Sequence, residues 1–95
     1  MTNQEIKNLT AVVTARTLEV KFLSPTNNHG DMVSIKDTHY NKTIKIDFNY
    51  SFNHFLQVAV NYLINERDIE IKDIAFDIKK GIYYITIPFE ANKIK

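Results

Sequence analysis

The chain has 95 residues and a mass of 11.1 kDa, which fits one domain, because typical domains run from about 50 to 250 residues. Hydrophobic residues at 44%, charged residues at 24%, and only 2 Gly and 2 Pro exclude a disordered or fibrous chain. The 12 basic and 11 acidic residues leave a formal net charge of +1, which excludes both a global field drawing the chain onto DNA or an anionic membrane and the dense acidic surface of a DNA mimic.

With 0 Cys, disulfide frameworks, thiolate zinc sites, iron–sulfur clusters and cysteine nucleophiles drop out, and the composition suits a reducing cytoplasm. No apolar run approaches the roughly 20 residues that span a bilayer. Met1 to Asn8 is polar, so neither a signal peptide nor a lipid anchor is expected.

Residues 1–16 read as a flexible N-terminal arm, with Ala11 to Ala15 as a candidate early strand, and residues 17–95 as the single folded domain. From Thr17 the pattern alternates, with Leu18, Val20 and Phe22 on one face and Glu19 and Lys21 on the other, the signature of a half-buried strand. Ser24 to Asp31 is rich in turn formers, because Asn and Asp bond their own backbone and Gly30 admits positive φ, so an exposed loop is expected there. The next strand turns Val33 and Ile35 inward, and a polar turn from Asp37 to Lys42 follows. Ile44, Ile46, Phe48 and Tyr50 then alternate with Lys45, Asp47 and Asn49 in a third strand.

Ser51 is placed to cap a helix in which Phe52, Phe55, Leu56, Ala59, Tyr62 and Leu63 recur at helical spacing. Val58, Val60 and Ile64 widen its apolar side, so the helix should be well covered or else offer a second surface to a partner. Ile69 and Ile71 lie in one strand phase and Ile74, Phe76 and Ile78 in the other, which points to a bulge or a bent strand at Lys72-Asp73. Lys79-Lys80-Gly81 makes a hairpin turn into a last strand, Ile82 to Phe89, whose Pro88 marks a sheet edge. The expected fold is therefore α+β, a mostly antiparallel sheet in the order β-β-β-α-β-β with one long helix packed on one face.

No catalytic motif stands out. His29, His39 and His54 have no spacing that puts two on one helical face, so no metal or other cofactor is expected. Ser24, Ser34 and Ser51 read as turn, strand and cap residues, and Gly30 and Gly81 are isolated and form no phosphate cradle. The expectation is a non-enzyme. A binding surface is easier to build. If the helix covers the face bearing Val20, Val33, Ile46 and Phe76, the opposite face presents Lys21, Lys36, Lys45, Tyr84 and Thr86, with Glu19 and Asp47 among them. Lysines around a tyrosine suit phosphates and a stacked base, while a solvated face with cross-strand ion pairs is the plainer reading. Lys79 and Lys80 beside Tyr83 and Tyr84 form a second basic and aromatic cluster, whose plainer reading is a soluble turn.

The stretch from Leu18 through Ser24-Pro25-Thr26-Asn27-Asn28-His29-Gly30-Asp31 to Val33, with Asp47-Phe48-Asn49-Tyr50 and Val58-Ala59-Val60-Asn61-Tyr62-Leu63, resembles small proteins of phages and mobile elements of low-G+C Gram-positive bacteria. The likeness runs from Leu18 to about Phe89. Within that set it is similar to the small polymerase-partner proteins of staphylococcal cassette chromosome replication operons. The resemblance implies an accessory or adaptor protein that binds a replication enzyme of the polymerase or primase type and helps it engage DNA, and together with the lysine-bearing face it gives the leading reading, an adaptor that also binds single-stranded nucleic acid. It makes Thr26, Asn27, Asn28, His29 and Gly30 the partner-binding loop. Asp31 and Met32 stand where related loops often carry a basic residue, which favours protein over DNA contact there. The alternatives are an inhibitor of a host defence nuclease, of the anti-CRISPR kind, an enzyme with a pocket of perturbed titrating groups around His29, Asp31 or His39, and a homodimeric module that pairs edge strands or the residual apolar helix face.

Overall fold

The computed structural model describes residues 1–10 and 14–95. Helix α1 (Asn3–Leu9) is followed by strands β1 (Ala15–Leu23), β2 (Met32–Asp37) and β3 (Lys42–Asp47), helix α2 (Phe55–Asn61), and strands β4 (Asp73–Asp77) and β5 (Ile82–Pro88). The strands form one five-stranded antiparallel sheet in the spatial order β3-β2-β1-β5-β4. The α+β class and the antiparallel sheet are as expected, but the order β-β-β-α-β-β is preceded by a further helix. In α1, Thr2 and Glu5 form a reciprocal capping box and every residue is exposed. The candidate strand at Ala11 to Ala15 falls largely outside the described residues. Its last member, Ala15, opens β1, and Arg16 behind it is buried, so the folded domain begins ahead of Thr17.

The helix is not the long one that the apolar spacing suggests. It comprises seven residues of α-helix and then five of π-helical turn, Tyr62–Glu66. Ser51 does not cap it, because the Asn49 side chain takes the Ser51 amide and the Asn49 carbonyl takes that of Phe52, which holds residues 49–52 in a turn. His54 caps instead. Its Nδ1 accepts the Leu56 amide at 3.0 Å, and Gln57 Oε1 accepts the amides of His54 and Asn53 at 3.2 and 2.9 Å. At the other end the Arg67 amide reaches back to the Tyr62 carbonyl and the Ile69 amide to the Leu63 carbonyl, which puts both Leu63 and Ile69 in the core. The phase change before Ile74 is therefore neither a bulge nor a bend within one strand. Residues 68–72 are an irregular connection that delivers Ile69 inward, and β4 starts afresh at Asp73.

Strand register explains the core. Val20, Ile35 and Ile44 stand in one cross-strand row, Phe22, Val33 and Ile46 in the next, and Leu18 faces Ile85. Val58, Ala59 and Leu63 of α2 close over this face. Burying each such Leu, Ile or Val contributes about 1.5–3 kcal/mol. Helix α2 packs over β1 and β2, so Ile74 and Phe76 of β4 lie on the same side of the sheet but remain exposed.

Beyond β5 the last residues fold back as a strap. Arg16 Nη1 donates to the carbonyls of Phe89 and Ala91 at 2.8 and 2.6 Å, and Nη2 to that of Asn92 at 2.9 Å. Arg67 donates twice to the Lys93 carbonyl, and the Tyr62 hydroxyl donates to that of Ile94, whose side chain is buried. Both arginines of the chain are thus spent on strap carbonyls, a task for a planar fork of donors that lysine lacks.

Candidate interaction surfaces

The side of the sheet away from α2 carries the residues that alternation assigned to it. Lys21, Ser34 and Lys45 stand in one cross-strand row, and Thr43, Lys36, Glu19, Tyr84 and Ala75 in the adjacent one. With strands about 4.8 Å apart, the Lys21 and Lys45 backbones lie roughly 10 Å apart across Ser34. Glu19 faces Lys36 in register, yet among the described residues no ion pair forms between them, and Lys21 and Lys45 have none either. The cross-strand ion pairs of the plainer reading are not formed at these three lysines, and its solvated face stands, with Lys21 and Lys45 exposed. The charge is nevertheless uneven. The lysines occupy β1 to β3, whereas Asp73 and Asp77 place acid on β4, and Tyr84 sits between the two halves beside Glu19.

The loop Thr26 to Gly30 and the turn bearing Lys79 and Lys80 lie at the same end of the sheet, because β1 ends and β5 begins there on neighbouring strands. Within the loop the Thr26 amide donates to the His29 carbonyl at 2.8 Å and the Asn28 amide to Thr26 Oγ1 at 3.2 Å. Gly30 does not use positive φ, contrary to expectation, and a side chain there would meet open space. Asp31, the acidic departure, has an internal role: its carboxylate accepts the Tyr50 hydroxyl at 2.8 Å and its carbonyl accepts the Phe48 amide. That hydrogen bond to a carboxylate holds the Tyr50 hydroxyl above its ordinary pKa.

Sequence reading missed what lies beside the loop on the helix side. Phe22, Phe48, Tyr50, Phe55, His54, Tyr83 and Phe76 touch ring to ring in one chain, with centroid separations from 4.4 to 6.3 Å. Tyr50 is 75% exposed, Phe76 48% and Phe22 41%. The signal was available in the period-2 phase of Phe22, Phe48 and Phe76, but nothing in that phase says that α2 stops short of covering them. Exposed aromatic groups at a rigid site are the usual anchors of protein contact.

The three histidines are apart and occupied. His29 Nδ1 lies 2.6 Å from the Gly30 carbonyl, His39 packs edge-on against Tyr40 and Phe89, and His54 caps α2. Among the described residues no three His, Cys, Asp or Glu side chains gather as a metal site would need. No helix among them is long and apolar enough to cross a membrane. No family model, curated protein or solved structure matches the chain.

Proposed function

We propose that this protein is a non-enzymatic adaptor of a mobile genetic element, working in the cytoplasm, that binds a replication enzyme of the polymerase or primase type and holds single-stranded nucleic acid beside it. The observation that carries this reading is that one small sheet has two exposed surfaces of different chemistry on its two sides. The open face offers unpaired Lys21, Lys36 and Lys45 with Tyr84, suited to a phosphate backbone and a stacked base. The loop Thr26 to Gly30, next to exposed Tyr50, Phe22 and Phe76, suits a protein surface. Lys79 and Lys80 at the same end extend the basic groups toward that surface.

The test is binding of a fluorescent single-stranded oligonucleotide between about 50 and 200 mM salt. Each lysine–phosphate contact on a single strand adds about 0.7 to the slope of log affinity against log salt, so changing Lys21, Lys36 and Lys45 together to Ala should lower the slope by about 2. Changing Lys79 and Lys80 measures their share separately. An unchanged slope sinks the open face as the nucleic-acid surface. For the protein half, replacing Asn27, Asn28 and His29 together with Ala should abolish co-purification with the replication enzyme. Retention of a nuclease in place of that enzyme would favour the inhibitor reading.

A further inference from the structure

The two edges of the sheet are finished differently. At β4 the neighbouring Asp73 carboxylate takes the Ile74 amide at 2.8 Å, a donor that an added strand would use. Asp73 and Asp77 stand at the two ends of this strand, so a second copy pairing antiparallel with it would set acid against acid. At β3 no comparable bond blunts the edge among the described residues. The Phe48 amide donates to the Asp31 carbonyl one step beyond the last ladder pair, Met32 with Asp47. Bonded pairs alternate along an antiparallel ladder, so from there Ile46 and Ile44 bond to β2, while Thr43, Lys45 and Asp47 turn their amides and carbonyls outward.

This open edge is complementary to itself. Across to β2, Lys45 faces Ser34 and Asp47 faces Met32, and among the described residues neither charge has an ion pair. Two copies of β3 laid antiparallel about a two-fold axis through Ile46 set each Lys45 opposite the partner's Asp47. Both of these pairs fall on residues whose backbone groups point outward, so each exchanges two backbone bonds and adds an opposite-charge contact on the open face. On the helix side Ile46 meets the partner's Ile46. An axis through Lys45 or Asp47 would instead set that residue against its own kind. The helices leave room for the pairing. Because α2 packs over β1 and β2, the two copies of it stand four strand spacings apart, roughly 19 Å, which is wider than a helix with its side chains. A shallow hollow beside Ile44, Ile46 and Tyr62 keeps the helix side of this edge open.

We infer that this protein forms a symmetric homodimer through β3, joining two sheets into one continuous sheet in which Lys45 of each copy pairs with the partner's Asp47. The two open faces then lie on the same side, with Lys21 and Lys36 of both copies on one surface. The dimer requires no nucleic acid, and its test uses none.

Sedimentation equilibrium between about 10 μM and about 1 mM should show a monomer passing to a dimer. Lys45 and Asp47 are both exposed, so changing them leaves the core intact. Asp47→Lys places lysine opposite lysine on both sides of the axis, and Lys45→Asp places acid opposite acid, so each should weaken the dimer by roughly tenfold or more. Lys45→Asp combined with Asp47→Lys exchanges the charges and restores both contacts, so its affinity should return to within about threefold of the parent. The chain has 0 Cys, so Ile46→Cys puts a single thiol at the axis, where facing residues are close enough for a disulfide. Mild oxidation should therefore link Ile46→Cys into a covalent dimer and leave Thr43→Cys, on the same edge but away from the axis, unlinked. A monomer throughout the range overturns the inference. So does a dimer that either single reversal leaves intact, one that the exchanged pair fails to recover, or linking of Thr43→Cys as readily as Ile46→Cys.

Discussion

Two hairpins in this sheet are built alike and put to different use. Each joins its strands through four residues, from Asp37 to Lys42 between β2 and β3 and from Asp77 to Ile82 between β4 and β5. In each, the aspartate Oδ1 accepts the amides two and three residues on: His39 and Tyr40 at 3.0 and 3.3 Å for Asp37, Lys79 and Lys80 at 3.0 and 3.1 Å for Asp77. Each turn closes on a left-handed residue, Asn41 with φ 51° and Gly81 with φ 67°. The strands differ in the face on which the aspartate falls. Asp37 stands in the row of Leu18, under the strap, and its side chain is 1% exposed, whereas Asp77 stands in the row of Ile82 on the open face. The same local chemistry thus makes a free turn in one place and a structural anchor in the other, and tertiary position alone decides which.

Asp37→Ala should cost the most. Its Oδ2 is 3.2 Å from Arg16 Nε, and the two atoms are not aligned for a hydrogen bond and have no other partner, so each charge depends on the other for neutralisation. A buried ion pair adds little over an apolar core of the same shape, but removing one partner strands the other charge, at about 3–5 kcal/mol. Asp77→Ala loses only the bonds of an exposed turn, about 1 kcal/mol. Urea denaturation midpoints compare the two directly, and equal losses would mean that the Arg16 charge is satisfied by the strap carbonyls alone.

Arg16→Lys sharpens the same contrast by keeping the charge and removing the fork. A single ammonium can sit by Asp37 but cannot also reach Phe89, Ala91 and Asn92, so the partly buried strap carbonyls lose their donors and stability falls by about 1–3 kcal/mol. Amide exchange should quicken first near Ile94, where the strap is pinned by Tyr62. Uniform quickening across the sheet instead would place the cost in the core rather than the strap.

These two regions also show what could be read without coordinates. Strict alternation in Leu18 to Phe22, Val33 to Ile35 and Ile44 to Phe48 determined which side chains share a face, so the row of Lys21, Ser34 and Lys45 was legible residue by residue. Arg16 was not, because it lies in a segment without period and its partners are Asp37 and three carbonyls more than seventy residues away. The cap escaped for a different reason. Ser51 is the better capping type, but Asn49 competes for the same backbone and moves the start of the helix to Phe55. The uncovered aromatic rings followed from that shift, since a helix beginning later and ending in a π-helical turn spans less of the sheet than the apolar spacing implied.

The smallest expected effect concerns the left-handed residues. Gly81→Ala forces a Cβ into a backbone conformation that costs about 1–2 kcal/mol for most residues, and since nothing lies near that Cβ, the whole loss belongs to the backbone. Gly81→Asn instead copies the residue that closes the other hairpin, and asparagine tolerates this conformation because its side chain bonds locally, so its loss should be less than half that of the alanine variant. Gly30→Ala serves as the control, as its backbone is not left-handed and its surroundings are open, and it should change stability by less than about 0.5 kcal/mol. Thermal denaturation of the three variants should therefore rank Gly30→Ala, Gly81→Asn and Gly81→Ala in order of increasing loss. A Gly81→Asn variant as damaging as Gly81→Ala would show that the two hairpins are alike in hydrogen bonding only, with the β4–β5 turn held in a conformation that glycine alone supports.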